Sequence, residues 1–391
     1  VSRAEEPTLA LDRSAELLDA VGMRRGAVRL LEATVASATP PAGAELTLVR
    51  LLHKRRGDWG RRNEVLEAYE DRVRGDVEAS VAVGKLWVKY RHPGRARTIA
   101  ERLRKRHPER FEGGLLMADA LRAVGRRSSE AAIISETIAA AADPVRAALA
   151  IGLRYLEWRE HTRATTWLET AAAGKPTGGL EREVRRGLID AHMGQHPPAH
   201  QVAARHMRRW IALTPEDEEV RAIEHLLQRI AGVTAFGDLR IELLQRLASR
   251  RPDDSDVLES LGQGLLLADR WDMAKEVFEA AMSGASSSKG VAIRAGRLFL
   301  AAGRNTTALS FFERVNLQPT DLDIQTWRSL GEYLYTTGHP DRADAYFAKL
   351  LERTASGGHL SELTIFARVA LRLGAWERAV QAARQILDRR A

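Results

Sequence analysis

Apolar residues recur along this chain at the spacing of amphipathic helices, in pairs of segments separated by a short turn. The clearest pair runs from Ile324 to Arg353, where Gly338 and Pro340 mark the end of one helix and the start of the next. The inward positions are Trp327, Leu330 and Leu334, followed by Ala343, Phe347 and Leu350. This pattern predicts a helical hairpin whose second helix carries a small residue where two backbones cross.

Eleven such units follow one another with steps of 34 to 38 residues, and in nine of them a small residue, usually alanine, takes the same place. We place this anchor position at Ala27, Arg62, Ala96, Glu130, Ala164, Ala199, Gly237, Ala274, Ala308, Ala343 and Ala379. A period of this length is typical of a solenoid, in which each unit packs only on its neighbours. We therefore expect an all-α fold, an α-α superhelix of about eleven helical hairpins.

The units resemble the tetratricopeptide repeat, which combines Trp, Leu-Gly and Tyr with Ala, Phe, Ala and a final Pro. Matching residues include Leu261, Gly262, Ala274 and Phe278, then Gly296, Ala308 and Phe312. The resemblance covers essentially the whole chain and implies one right-handed solenoid over residues 1–391. Residues 8–254 hold the more degenerate repeats and residues 255–391 the well-matched ones. Three units, with Arg62, Glu130 and Gly237 at the alanine position, are assigned mainly from spacing.

Composition supports the helical interpretation and limits the chemistry. Apolar residues make up 45% of the chain and aromatic residues only 6%, which suits closely packed helices. Cysteine is absent, which excludes disulfides, thiolate zinc sites and a cysteine nucleophile. The net charge of +8 favours anionic partners, although the dominance of arginine over lysine also indicates a high-GC bacterial coding bias. No run is long and apolar enough to span a bilayer, and no signal-peptide pattern begins the chain.

The chain opens on Val1 and closes within the second helix of its last unit. We therefore expect a segment of a longer protein, or a contact of the final helix with another subunit.

Basic side chains are predicted to line both ends of a groove. In tetratricopeptide repeat proteins the first helix of each pair lines the concave surface, and its second, fifth, ninth, twelfth and thirteenth positions contact the ligand. The resemblance thus implies partner-binding roles for Lys54, Arg55, Lys85, Lys89, Arg122, Arg297, Arg328, Tyr335, Arg368 and Arg372. The lining between them is predicted to be apolar, with Leu149, Leu153, Leu156, Val184, Leu188 and Leu226. The alternative is a solvated helix face in an arginine-rich protein.

No catalytic or metal-binding set emerges from the sequence. The histidines His192, His196, His200 and His206 are interrupted by Pro197-Pro198, which favours a polar turn over a metal site. Gly262-Gln263-Gly264 lies inside a helix pattern and is not a phosphate loop. We expect no enzyme activity, no cofactor and no metal in this chain.

The leading hypothesis is a non-catalytic scaffold that docks a partner protein or peptide of acidic character in its groove. Bacterial exopolysaccharide secretion proteins are among the families with similar repeat arrays, and for that role we expect an anionic polysaccharide or its modifying enzyme as the partner. The location is then the bacterial periplasm, with the cytoplasm as the alternative. Another hypothesis is a ligand-sensing or regulatory region of a larger cytoplasmic regulator or enzyme.

A third hypothesis is a helical repeat that binds RNA. Repeats of that kind read one base per unit through a recurring polar code. The corresponding positions here are Leu149, Val184, Ala222, Glu259 and Ile293, which show no such code. We therefore predict no nucleic-acid partner. Since no apolar run is long enough to span a bilayer, we also predict no membrane insertion.

Overall fold

The computed structural model describes residues 20–36, 43–54, 56–284, 288–355 and 360–389, and these residues form α-helices without a β-strand. The helices are α1 (Arg24–Val35), α2 (Ala44–His53), α3 (Trp59–Arg72), α4 (Val77–Lys89), α5 (Pro93–Arg106), α6 (Phe111–Ala123), α7 (Arg127–Ala140), α8 (Pro144–Glu157), α9 (His161–Ala173), α10 (Gly178–Gly194), α11 (His200–Ala212), α12 (Glu216–Arg229), α13 (Gly237–Arg250), α14 (Ser255–Leu267), α15 (Trp271–Gly284), α16 (Ser288–Ala301), α17 (Asn305–Phe312), α18 (Ile324–Thr336), α19 (Pro340–Ala355), α20 (Leu360–Leu373) and α21 (Trp376–Asp388). The all-α prediction is confirmed.

The chain divides into two compact units. The first ends at Gln195 and the second begins at His196. One solenoid over residues 1–391, with its right-handed coiling, stays a prediction.

Within each unit, consecutive helices pack as hairpins and the hairpins pack on one another. The first helices α4 and α6 contact each other, as do α8 and α10, α14 and α16, and α18 and α20. The second helices α19 and α21 are also in contact. Each hairpin therefore buries its apolar stripe against its own partner helix and against the next hairpin, as a repeat array requires.

Aspartate starts several of the first helices. The side chains of Asp76, Asp143, Asp254 and Asp323 accept hydrogen bonds from the backbone N–H groups that open α4, α8, α14 and α18. A carboxylate satisfies a free donor there and interacts favourably with the positive end of the helix dipole. These caps fix where the first helix of a hairpin begins.

Glycine in the first helix makes room for phenylalanine in the second. A Cβ atom added at Gly331 would lie 2.3 Å from the ring of Phe347, which is 1% exposed. The same contact joins Gly262 to Phe278 and Gly296 to Phe312. The Leu-Gly and Phe positions of the repeat pattern are thus one packing device.

Most anchor positions are buried where the spacing places them. Ala27, Ala96, Ala164, Ala274, Ala308 and Ala343 are fully buried, and Ala379 is 3% exposed. Arg62 and Glu130 are also buried, although both are charged. All of these are the fourth residue of a second helix.

Two anchors are misplaced. Ala199 precedes α11, and the fully buried fourth residue of that helix is Ala203. Gly237 is exposed, and Leu239 and Leu243 carry the buried face of α13. The 17-residue α10 and the 3-10 turn Thr234–Phe236 lengthen these two units, and the second helix of each therefore begins later than its anchor predicted.

A helix that crosses a membrane must be both long and apolar. Among the described residues, no helix combines the length and the apolar character needed to cross a bilayer.

Candidate functional site

The first helices α4, α6 and α8 together form one surface in the first unit. Between them lies a depression of about 240 Å³. Its lining consists of Val81, Lys85, Phe111, Glu112, Leu115, Leu116, Ala150, Leu153, Arg154 and Glu157. Gly84 lets α4 and α6 come close, because a Cβ atom there would lie 2.3 Å from Leu116. The depression therefore lies beside the close contact of α4 with α6 and is bounded on its other side by α8, and we call these ten residues the α4–α6–α8 depression.

Two of the predicted site residues, Lys85 and Lys89, lie on this surface. Lys85 lines the depression and Lys89 lies one helical turn further along α4. Both side chains are exposed, and neither forms a hydrogen bond or ion pair with the described residues. They are therefore the cations that this surface offers to an anion.

A buried carboxylate lies behind the depression. Asp119 on α6 is 7% exposed, and its Oδ1 lies 3.4 Å from Nε of Arg154. Burial raises the pKa of Asp119 from 3.8 to about 6, against the opposing effect of Arg154 and Lys85. Arg154 also donates to the exposed Glu157. Sequence reasoning missed Asp119 because it followed basic residues, although Asp119 is the ninth residue of its first helix, a ligand-contact position in the repeat family.

Arg122 faces the protein interior. Its guanidinium donates to the fully buried Glu130 at 3.1 Å and to Glu160, and it lies 4.0 Å from the ring centre of Trp158. The side chain is 12% exposed. These contacts leave Arg122 little charge to offer a partner, and they explain how a glutamate occupies the alanine position of its unit.

Arg62, at the other charged anchor position, also forms hydrogen bonds and an aromatic contact within the protein. It hydrogen bonds His53 Nδ1 at 2.9 Å and Asn63, and it lies 4.2 Å from the ring centre of Tyr90. Lys54 is exposed immediately after α2, and Arg55 lies outside the described residues.

The remaining predicted site residues lie on α16, α18 and α20 of the second unit. Arg297 donates to the carbonyl oxygen of Asp321 at 3.0 Å, and Arg328 lies 3.6 Å from Glu332. Tyr335 is half-buried on α18. Arg368 and Arg372 on α20 are exposed and form no hydrogen bond or ion pair with the described residues.

The predicted apolar lining is mostly core. Leu149, Val184, Leu188 and Leu226 are at most 5% exposed, because neighbouring helices cover them. Leu153 is 39% exposed and lies in the α4–α6–α8 depression. An open apolar lining is therefore present at Leu153 and absent at those four residues.

Many arginines of the described chain join one hairpin to the next. Arg208 donates to both carboxylate oxygens of Glu242 at 2.7 and 2.8 Å, and these bonds lower the pKa of Glu242. Other pairs of this kind are Arg104–Glu136, Arg127–Glu160, Arg250–Glu216, Arg294–Glu259, Arg314–Glu279 and Arg378–Asp344. The partners are 32 to 35 residues apart in these pairs. Much of the arginine content thus connects repeats instead of forming a basic surface.

The histidines His192, His196, His200 and His206 were predicted to form a polar turn and not a metal site. Within the described ranges, no group of three His, Asp or Glu residues has the geometry to hold a metal ion. His192 is buried on α10, while His200 on α11 contacts the ring of Phe236.

No protein-family model matches the sequence, and no curated protein sequence matches it either. Among solved structures, the chain is similar to human IFIT1 in a dimer with PPP-AAAA, at 13% identity and a TM-score of 0.27, covering 100% of this chain and 96% of that one. A monomeric IFIT1 mutant with m7Gppp-AAAA gives 12% identity and a TM-score of 0.26, covering 96% and 80%. The TPR domain of P58(IPK) gives 14% identity and a TM-score of 0.22, covering 80% and 93%. These TM-scores are low, so nothing about the ligands of those proteins is carried over to this chain.

Proposed function

We propose that this chain is a non-catalytic scaffold that docks an acidic segment of a partner protein on the surface formed by α4, α6 and α8. The observation that carries the proposal is the α4–α6–α8 depression, which combines an exposed leucine, Leu153, with the unpaired cation Lys85. An apolar side chain of the partner fills the depression, and a neighbouring carboxylate pairs with Lys85 or Lys89.

The ion pairs between hairpins support this choice of surface. Arginines elsewhere are largely engaged by glutamate and aspartate, whereas Lys85 and Lys89 form no hydrogen bond or ion pair within the described part of the chain. A cation that forms no internal pair keeps its full charge for a ligand. Arg368 and Arg372 are exposed on α20 of the second unit and form a separate basic surface there.

The wider setting follows from the resemblance to tetratricopeptide repeats. We propose a bacterial protein whose repeats form one continuous solenoid, working in the periplasm within an exopolysaccharide secretion assembly. On that proposal the docked partner is a modifying enzyme with an acidic segment.

The test is selection of peptides from a phage-displayed random library on the wild-type chain. We expect enriched peptides that place an acidic residue beside a bulky apolar one. Their affinity should fall at least about tenfold, or 1.4 kcal/mol, in the double variant Lys85→Glu/Lys89→Glu. The matched control is Lys105→Glu/Arg126→Glu, which changes the net charge equally on exposed residues outside the depression.

Equal binding by the two double variants would reject the α4–α6–α8 surface as the docking site. A single-stranded RNA oligonucleotide serves as a second probe. If that RNA binds, loses affinity steeply with salt and is lost in the Lys85→Glu/Lys89→Glu variant, nucleic-acid binding replaces peptide docking as the function of this surface.

A further inference from the structure

The last helix, α21, carries an apolar stripe on its exposed side. Trp376 is 63% exposed, Val380 50% and Leu387 66%, and the exposed Ala383 completes the row. These residues follow one another at intervals of four, three and four, which places them on one face of the helix. The adjoining face of the helix, with Ala379 and Ala382, is buried.

In the preceding hairpin the C-terminal half of the corresponding face is buried, whereas Pro340 and Asp344, which correspond to Trp376 and Val380, are exposed. Phe347 on α19 stands at the position of Ala383, is 1% exposed and contacts the ring of Phe366 on α20 at 5.2 Å. Leu351, which corresponds to Leu387, is 5% exposed. The C-terminal half of the stripe on α21 thus occupies the side of a second helix on which this fold receives another helix.

The spacing and charges of α21 match a second copy of itself. Intervals of four, three and four are the same in both directions, so an antiparallel copy sets Trp376 against Leu387 and Val380 against Ala383. Glu377 and Arg384 lie seven residues apart, on one edge of the stripe. Antiparallel pairing therefore brings Glu377 of each copy beside Arg384 of the other, twice in a symmetric dimer.

Both charged side chains are available for that pairing. Glu377 and Arg384 are exposed, and neither side chain forms a hydrogen bond or ion pair with the described residues. Their neighbour Arg378, by contrast, is engaged by Asp344 at 2.5 Å.

We propose that α21 pairs antiparallel with α21 of a second copy and so makes the chain a homodimer. One helix face offers less than the ~800 Å² per partner of a standard interface. We therefore expect a reversible dimer with a dissociation constant in the micromolar range. This inference is independent of the docking surface on α4, α6 and α8.

Sedimentation equilibrium of the whole chain, from low micromolar to submillimolar concentration, tests the dimer. Glu377→Arg and Arg384→Glu each place like charges together at both contacts, so each variant should associate at least about tenfold more weakly. An equimolar mixture of the two variants should regain association, because the contacts between different copies again join opposite charges. Leu387→Glu should abolish association, and its 66% exposure in the monomer means that helicity stays unchanged. Arg126→Glu, on an exposed residue of the first unit, is the charge control.

Cysteine pairing tests the register directly, because the chain contains no cysteine. A mixture of Glu377→Cys and Arg384→Cys chains should form disulfide-linked dimers faster than either variant alone. A chain that stays monomeric at every concentration overturns the proposal and leaves the stripe to another helix, of this protein or of a different one. A dimer that responds to neither charge reversal nor mixing overturns it as well, since association then occurs elsewhere on the molecule.

Discussion

At the residue scale, the most informative group is Glu130, a fully buried carboxylate at a position that elsewhere holds alanine. Arg122 and Arg127 both contact it, but Arg122 is 12% exposed and Arg127 is 52% exposed. A buried ion pair contributes through the penalty that follows when one partner is removed, whereas an exposed pair contributes little. The two arginines therefore allow the effect of burial to be separated from the effect of charge.

Arg122→Ala should lower the free energy of unfolding by about 3 kcal/mol, since it leaves Glu130 buried without its main partner and removes the contact with Trp158. Arg127→Ala, which removes an exposed contact to the same carboxylate, should lower it by less than about 1 kcal/mol. Urea unfolding followed by circular dichroism measures both. Equal losses in the two variants would contradict a burial-dependent role for Arg122.

Asp119 predicts an unusual dependence of stability on pH. Its folded-state pKa is raised to about 6 by burial, so the folded chain binds a proton that the unfolded chain has already released. The contribution of Asp119 to stability is therefore fully present below pH 3.8 and is lost as the pH rises through 6. At about 1.4 kcal/mol per pKa unit, the charged form lowers the free energy of unfolding by roughly 3 kcal/mol at pH 7.

Asp119→Asn should consequently be more stable than the wild type at pH 7, with the difference shrinking to near zero by pH 4. Chemical unfolding of both proteins across that range gives the difference, in which other titrating groups cancel. Glu157→Gln, a change at the exposed partner of Arg154, should show no such trend. A difference that grows toward acid would mean that the bond to Arg154 outweighs burial.

The sequence indicated which residues occupy most of the anchor positions, but it did not indicate which side chains form hydrogen bonds with the charged ones. Arg62 and Glu130 were placed correctly by spacing alone, because the period is a property of the backbone. Their partners His53 and Arg122 lie nine and eight residues away on the preceding first helix. Neither contact is encoded in the repeat pattern, so the sequence suggested an exposed, partner-binding Arg122, whereas the Arg122 side chain is only 12% exposed in the structure.

At the element scale, the contact between a glycine of the first helix and a phenylalanine of the second holds several hairpins of the second unit together. Gly331→Ala should lower the free energy of unfolding by about 1 to 3 kcal/mol, because the added Cβ atom overlaps the buried ring of Phe347. Adding Phe347→Leu to that variant should restore part of the loss. Gly26→Ala in α1 is the control, since no atom lies within 4 Å of its added Cβ atom. An equal loss in the control would show that the backbone, not the ring contact, sets the effect.

Helix positions were predictable where the hairpin has standard length. The apolar stripe and the turn residues identified α18 and α19 from the sequence, because period and breakers agree there. The prediction failed at Ala199 and Gly237, where a longer first helix and a 3-10 turn change the step. Steps of 38 and 37 residues on either side of Gly237 indicate extra residues in these units, but spacing alone does not show where in the hairpin those residues lie.

At the scale of the whole molecule, the division after Gln195 predicts that each unit folds by itself. Each has its own hairpins and its own buried residues, and the stability of repeat arrays comes from contacts between neighbours. Fragments 20–195 and 196–389 should each be helical and unfold cooperatively in circular dichroism. A fragment without helical signal would show that its fold depends on the other half.

The ion pairs between hairpins have an evolutionary consequence. Arg208, Arg314 and Arg378 each find their acid 34 or 35 residues away, on an adjacent hairpin. Duplication or loss of one complete hairpin recreates such a spacing at the new junction, whereas a change of half a hairpin sets arginine against the wrong helix. Related proteins should therefore differ in the number of hairpins by whole units. Insertions or deletions of part of a hairpin would be selected against, because they separate the arginines from their acidic partners.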